Sequence, residues 1–276
     1  MKINIFFKLF GIYVVLLPIL CFLLFPFFWI LSTSFKNPSE IYALKPCLIP
    51  KSPTGDNYVY LWYRTNFSRY FINSLIVSLG NAFLTVLIGT LAAYGLSRSS
   101  FKGKDIVIVW LISSQMLPLV LLVIPLFIIL LHTHLLNSLL GLIIIYCAFS
   151  LPFSTLMLKG YFDSIPRDLD EAALVDGCSR LGAAFRIVFP LAAPGVIATA
   201  LFAFVLAWQD YLLALTFTQT DELRTLAVGI TYFLGFRQVQ WGPITAASVL
   251  TTLPVAIFFI YLQKYLVQGM TLGGVK

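Results

Sequence analysis

Glu171-Ala172-Ala173-Leu174-Val175-Asp176-Gly177, running on to Ile187-Val188-Phe189-Pro190-Leu191, is a helix-patterned polar stretch set between two long apolar segments. Asp168, Asp170 and Glu171 fall at the start of the helix it predicts, where the helix dipole favours negative charge. Asp163 or Ser164 is placed to cap that helix, Pro166 suits its first turn, and Gly177 suits its stop. Leu169, Ala172, Ala173 and Val175 would offer small apolar contacts, and alanines permit deep insertion into a cleft. Arg180, Phe185 and Arg186 continue into a second short helix, and Pro190 and Pro194 mark its return to an apolar segment. On residue types alone two readings stand level: a lever that docks on a partner, and an amphipathic loop with none.

The rest of the chain is far more apolar. Apolar residues make up 60% of the 276 and charged residues 11%, against about 25% charged in an ordinary soluble domain. So much apolar surface needs lipid as its solvent, which predicts an all-α, polytopic membrane protein. The length suits a single polytopic transmembrane domain over 1–276. The net charge of +7 comes from Lys and Arg scattered through short loops. That scatter sets membrane orientation and argues against nucleic acid as a partner.

Six segments are long and apolar enough to span: about 9–31, 71–97, 106–131, 139–159, 191–217 and 243–266. The first is too long for the apolar core of a signal peptide and is read as an uncleaved helix; the large Leu20 before Cys21 argues against a lipoprotein cleavage site. Between the spans lie an extended loop (32–70), a basic turn (98–105), a tiny turn (132–138), the polar loop 160–190 and a second polar loop (218–242). Six spans put both termini on one side. With the N-terminus inside, eleven basic residues are cytoplasmic (Lys2, Lys8, Arg98, Lys102, Lys104, Lys159, Arg167, Arg180, Arg186, Lys264, Lys276). Seven lie outside (Lys36, Lys45, Lys51, Arg64, Arg69, Arg224, Arg237). The clearest contrast is three basic residues in 98–105 and none in 132–138. Both termini and the 160–190 loop are therefore expected in the cytoplasm.

Within the spans, Ser74, Ser78, Ala82, Thr85, Gly89 and Ala93 recur at helical spacing and predict a close-packing seam. Pro118, Pro125, Pro152 and Pro254 predict kinks, as static bends or as hinges. Gln115, Gln209 and Asp210 are the polar residues that a translocation pathway or gate would use. For Asp210 a structural hydrogen bond is the stronger expectation. Tyr94, Tyr146 and Phe149 lie where a substrate could touch them. No metal site is expected: the two histidines, His132 and His134, share one turn, and Cys21, Cys47, Cys147 and Cys178 form no ligand spacing.

The Glu171-Ala172-Ala173, Asp176-Gly177, Phe185, Ile187 and Pro190-Leu191 pattern resembles the EAA loop of ABC-importer permeases, the binding-protein-dependent inner membrane components. Cys178 stands where a small alanine is usual, and Phe189 where leucine is common. Asn57-Tyr58, Asn73-Ser74-Leu75, Arg224-Thr225-Leu226, Ala246-Ala247-Ser248 and Leu253-Pro254 extend the resemblance, which covers about 50–276. The tail Gln268–Lys276 resembles that of the carbohydrate (maltose, MalG-like) branch, while Trp208-Gln209-Asp210 departs from a more usual Trp-Asn-Asp or Trp-Asn-Glu. The resemblance implies a type I ABC importer permease fold with six transmembrane helices. It implies ATPase coupling through Asp170, Glu171, Ala172, Ala173, Asp176, Gly177, Phe185, Ile187 and Pro190. It implies a second permease subunit, as a heterodimer, two ATP-binding cassette subunits that carry ATP and Mg, and an extracytoplasmic sugar-binding protein. The loops 32–70 and 218–242 would face that protein, and the glycine-rich tail would reach into the ATPase dimer. The location implied is the cytoplasmic membrane of a bacterium or archaeon, with di- or oligosaccharides as the preferred cargo.

No cofactor is expected on this chain. It has no Gly-x-x-x-x-Gly-Lys-Ser/Thr loop to cradle phosphates and no nucleophile–histidine pairing of an intramembrane enzyme. The competing class is a secondary carrier or channel that works without an ATPase; the absence of a paired acid–base relay in the spans weighs against its proton-driven form.

Overall fold

The computed structural model describes residues 2–235 and 239–272, with side chains described over 12–235 and 239–264. Arg237, the side chains of Lys2 and Lys8, and most of the glycine-rich tail lie outside the described residues. Among the described residues the ordered elements are helices, joined by turns and loops.

Four helices are each long and apolar enough to cross a membrane: Ile12–Ser34, Phe67–Arg98, Leu139–Ser164 and Trp241–Lys264. Two bent pairs would bring the number to six if each pair is one broken span: Lys104–Ser114 with Leu119–His132, bent by 101°, and Arg180–Leu191 with Ala193–Gln209, bent by 75°. The expected continuous helix over 106–131 is therefore broken. Pro118 has no N–H to return to the preceding turn and biases Leu117 away from helical dihedrals; its own ψ of 124° is extended. Pro125, Pro152 and Pro254 instead sit inside unbroken helices, so among these four prolines only Pro118 stands at a break. The expected span 191–217 is also divided. Its helix starts at Ala193 and ends at Gln209, Asp210 turns extended (φ −71°, ψ 131°), and a short helix follows over Leu212–Phe217.

The chain divides into two compact units, Met1–Ser68 with Ile230–Leu253, and Arg69–Gly229 with Pro254–Lys276. In the first unit the apolar side chains of the first helix from Ile12 to Phe28 are exposed, as suits a helix whose neighbour is lipid. The loop that follows is tied down by polar contacts. Lys36, only 2% exposed, donates to the Cys47 carbonyl at 2.6 Å and lies over the Trp29 ring. The Asn57 amide donates to the carbonyls of Ser34 and Lys36 at 2.9 and 3.1 Å. Gly242 lets that amide pass, because a Cβ there would fall 2.3 Å from Asn57 Oδ1. Tyr42 donates to the Val239 carbonyl at 2.6 Å.

In the second unit the small-residue seam packs as the spacing predicts: Ser74, Ser78, Ala82, Thr85 and Ala93 are all buried, and Gly89 faces Leu151, Thr155 and Leu158. Asn81, which the spacing did not single out, is the polar knot of this seam. It donates to the Ala203 carbonyl at 2.7 Å and accepts from Ser150 and Thr85 at 3.1 Å each. One amide thus binds three helices, which compensates for the weak hydrophobic drive between helices in lipid. At one end of the unit Asn137 accepts from the backbone of Gln219 and Thr220, and Asn73 donates to the carbonyls of Glu222 and Arg224. The segment 218–229 is a pinned strap.

Candidate functional site

The docking helix runs over Asp168–Val175, with Asp168, Asp170 and Glu171 in its first turn. Its N-terminus differs from expectation. Asp163 and Ser164 do not cap it, because the preceding helix continues through both of them to Ser164. Asp163 instead accepts from Ser97 at 2.6 Å and pairs with Lys159 at 2.5 Å, and Ser164 donates to the Tyr161 carbonyl. Arg167 stands at the cap position without a side-chain capping bond. The N–H groups of Leu169, Asp170 and Glu171 return to the Pro166 and Arg167 carbonyls, and the negative charge of this turn suits the helix dipole.

The C-terminus is closed by geometry. Gly177 adopts φ +84°; its N–H donates to the Leu174 carbonyl at 3.1 Å, and the Cys178 N–H to the Ala173 carbonyl at 2.9 Å. This is a Schellman stop, which needs a left-handed residue at this position. Nothing lies within 4 Å of where a Cβ would be, so the glycine answers to conformation and not to space. Ser179 then caps the next short helix, accepting from the Gly182 N–H.

The helix has two faces. Ala173 is buried and Asp170 half-buried, whereas Glu171, Ala172, Val175 and Asp176 are exposed, Val175 at 87%. Asp170 is the inward anchor. Its Oδ2 lies 2.9 Å from Arg98 Nε, with the two side chains only 14% and 10% exposed. The contact lacks hydrogen-bond alignment and acts as a charge pair. Tyr94 donates to Asp170 Oδ1 at 3.2 Å, Arg98 Nη2 to the Ile165 carbonyl at 3.0 Å, and Arg167 Nη2 to the Ser97 carbonyl at 2.9 Å. The end of the Phe67–Arg98 helix is thereby clamped onto the docking helix from within. Tyr94, Arg98, Arg167 and Arg180 also border a cavity of about 210 Å³ beside Glu171. Sequence reasoning used Arg98 only as an orientation charge and missed the clamp. Its one signal was a basic residue ending an apolar segment while unpaired acids opened the helix at Asp168.

The remaining residues of the expected coupling set part from this face. Phe185 is 60% exposed and stacks edge-on with Phe189 at 4.9 Å. It borders an apolar groove with Leu87, Leu91 and Ile197, so it belongs with the spans. Ile187 is half-buried and Pro190 exposed; Pro190 sits in the short turn of helix just before the 75° bend.

Gln115, Gln209 and Asp210 come together. The two helix breaks, one after Ser114 and one at Asp210, border the same cavity of about 640 Å³ with Tyr146, Phe149 and Tyr211. Asp210 does the structural work expected of it. Its Oδ2 accepts from Tyr146 at 2.8 Å and from the N–H groups of Leu213 and Ala214 at 2.9 and 3.2 Å. From the position before the cap residue Tyr211, it satisfies the first-turn N–H groups of the Leu212–Phe217 helix. Tyr94 and Tyr146, read as substrate candidates, are both occupied by aspartates. Of the three aromatics named from sequence, only Phe149 is left to face the cavity without such a bond.

The profile of the family "Binding-protein-dependent transport system inner membrane component" matches residues 85–272. The sulfoquinovosyl glycerol transport system permease protein of Agrobacterium fabrum is 44% identical over 253 residues, 92% of this chain and 89% of that one. The trehalose/maltose transport system permease protein of Thermococcus litoralis is 37% identical over 265 residues, 95% of this chain and 94% of that one. The fold matches that of a chain in the crystal structure of a bacterial ABC transporter involved in the import of the acidic polysaccharide alginate, with a TM-score of 0.83 at 22% identity, covering 94% of this chain and 97% of that one. This chain belongs to the binding-protein-dependent ABC-importer permeases, a family of inner-membrane transport components.

Proposed function

We propose that this chain is the permease subunit of an ATP-driven sugar importer. It forms half of the translocation pathway with a second permease, in a heterodimer, and takes its motion from two ATP-binding cassette subunits through the Asp168–Val175 helix. ATP and Mg bind on those subunits; this chain has no nucleotide site of its own. An extracytoplasmic sugar-binding protein delivers the cargo, and both termini lie in the cytoplasm. Two relatives named for glycoside or disaccharide transport support the sugar class.

One observation carries the coupling role. The docking helix is closed at its C-terminus by the Gly177 stop, clamped from within by Arg98 against Asp170, and bare on the face that bears Glu171, Ala172 and Val175. A helix held rigidly on one side and left open on the other can pass force from a partner to the spans. The ATPase pair and the loaded binding protein would both favour the outward-facing state, each by binding it more tightly.

The test is co-purification in mild detergent. Recovery of an ATPase with this chain, and its loss in Glu171→Lys at unchanged membrane levels, is the expected result. A chain that purifies alone and transports sugar in liposomes without ATP would replace this reading with the carrier.

A further inference from the structure

We infer that the cavity between the two helix breaks is a binding subsite for one neutral saccharide ring, contributed by this subunit alone. The inference rests on the proposed function, because it names what passes along the pathway.

Three observations meet in this cavity. The first is its backbone. Helix Lys104–Ser114 stops before Pro118, and helix Ala193–Gln209 stops at Asp210. Each stop strips helical partners from the last carbonyls of its helix, and Pro118 has no N–H for the turn before it. Broken backbone at membrane depth is tolerated where it lines a hydrated cavity, and broken helices are how substrate sites are built in many transporters.

The second is the set of side chains. Gln115 and Gln209 are exposed on the cavity from opposite breaks, and each amide offers both a donor and acceptors. Gln115 is nearly uncommitted, with one long 3.5 Å contact to the Phe149 carbonyl. Phe149 and the 42%-exposed Tyr211 supply ring faces. Paired amides for vicinal hydroxyls and aromatic faces for C–H surfaces are what a pyranose needs, and about 640 Å³ falls in the range of small-molecule sites.

The third is charge. All three bonds to Asp210 fall on Oδ2, so among the described residues Oδ1 has no hydrogen-bond partner. Among those residues no Lys, Arg or His lines the cavity. An acceptor carboxylate oxygen with no cation near it welcomes a hydroxyl and repels a carboxylate or sulfonate. The subsite therefore selects neutral rings over acidic ones.

The experiment uses the assembled transporter in nanodiscs, with the four native cysteines changed to serine and Gln209→Cys introduced. A charged, water-soluble thiol reagent reads the labelling rate. The probes are a mixture of neutral disaccharides (maltose, trehalose, cellobiose) and, separately, digalacturonate. Labelling is expected, and the neutral mixture at about ten times a millimolar-range Kd should slow it about tenfold, while digalacturonate leaves it unchanged. Lys102→Cys, in the exposed 98–105 turn, should label at a rate no sugar alters. No labelling at Gln209→Cys, no protection by the neutral mixture, or protection by digalacturonate would each overturn the inference. Gln115→Cys repeats the measurement from the other break, so a misfolded first variant does not decide the result. The readout needs no ATP: protection without ATPase co-purification would sink the importer reading and spare the subsite, and the converse would do the opposite.

Discussion

Asp170 and Asp210 stand in similar settings and are satisfied by different means. Both lie in the first turn of a helix or just before it, and each accepts from a tyrosine hydroxyl. Asp170 adds a nearly buried guanidinium, Arg98, at 2.9 Å. Asp210 has no cation, and backbone N–H groups from its own short helix complete its shell. The difference separates a mechanical joint from a polar lining. A charge pair of low exposure between two elements resists separation, because parting it strands a charge in a poor solvent. A carboxylate capped by its own helix shapes a local turn and ties no distant elements beyond Tyr146.

The largest effect should come from breaking the joint. Arg98→Ala leaves the Asp170 carboxylate without its cation, at a cost of about 3–5 kcal/mol if the chain cannot relax. Transport-coupled ATP hydrolysis should collapse while the chain still reaches the membrane, and the charge exchange Arg98→Asp with Asp170→Arg should recover part of it. Equal loss in the single and exchanged variants would show that no charge pair is at work. Next comes the stop at Gly177. Gly177→Ala forces a Cβ into left-handed backbone, about 1–2 kcal/mol, and should reduce uptake and lower the thermal midpoint of the purified chain by a few degrees. Tyr146→Phe removes one bond to a carboxylate, about 1.5 kcal/mol, and should lower that midpoint by a few degrees, leaving ATPase co-purification intact. Asp210→Asn should be the mildest. Its amide oxygen still accepts from the helix, and the lost interaction with the helix end is about 0.3–1 kcal/mol. A stability loss as large as that of Arg98→Ala would erase the contrast between the two aspartates.

Much of this was legible in the residues. Apolar run lengths gave the six apolar segments, small-residue spacing gave the Ser74–Ala93 seam, and Gly177 announced the end of the docking helix. These signals are local, and period and turn chemistry carry them. What stayed hidden was pairing over distance. Arg98 looked like one more orientation charge, since nothing in 98–105 shows that its partner is 72 positions on, at Asp170. Asn81 sat inside a stripe of small residues and carried no signal of its own. The caps expected at Asp163 and Ser164 failed for a related reason: Ser97 and Lys159 claim Asp163, and the preceding helix absorbs both positions. The two helix breaks were partly visible, through Pro118 and Asp210, but their meeting at one cavity is a fact of packing that no window along the sequence contains.

The bond from Tyr42 to the Val239 carbonyl spans 197 residues of chain, and the Asn57 amide passes close by Gly242. The first unit is thus stitched from the beginning of the polypeptide and from a stretch near its end. A ribosome adding about 5–20 residues per second delivers Val239 roughly 10–40 seconds after Tyr42 has emerged. Through that interval Tyr42 waits with its partner unmade, whereas Lys36 and Asn57 already have theirs in Cys47, Ser34 and Lys36. The early helix must therefore be held in the bilayer by lipid or by the insertion machinery, and pulse-chase proteolysis at the 35–55 loop should show protection arriving only after the last helix is in place.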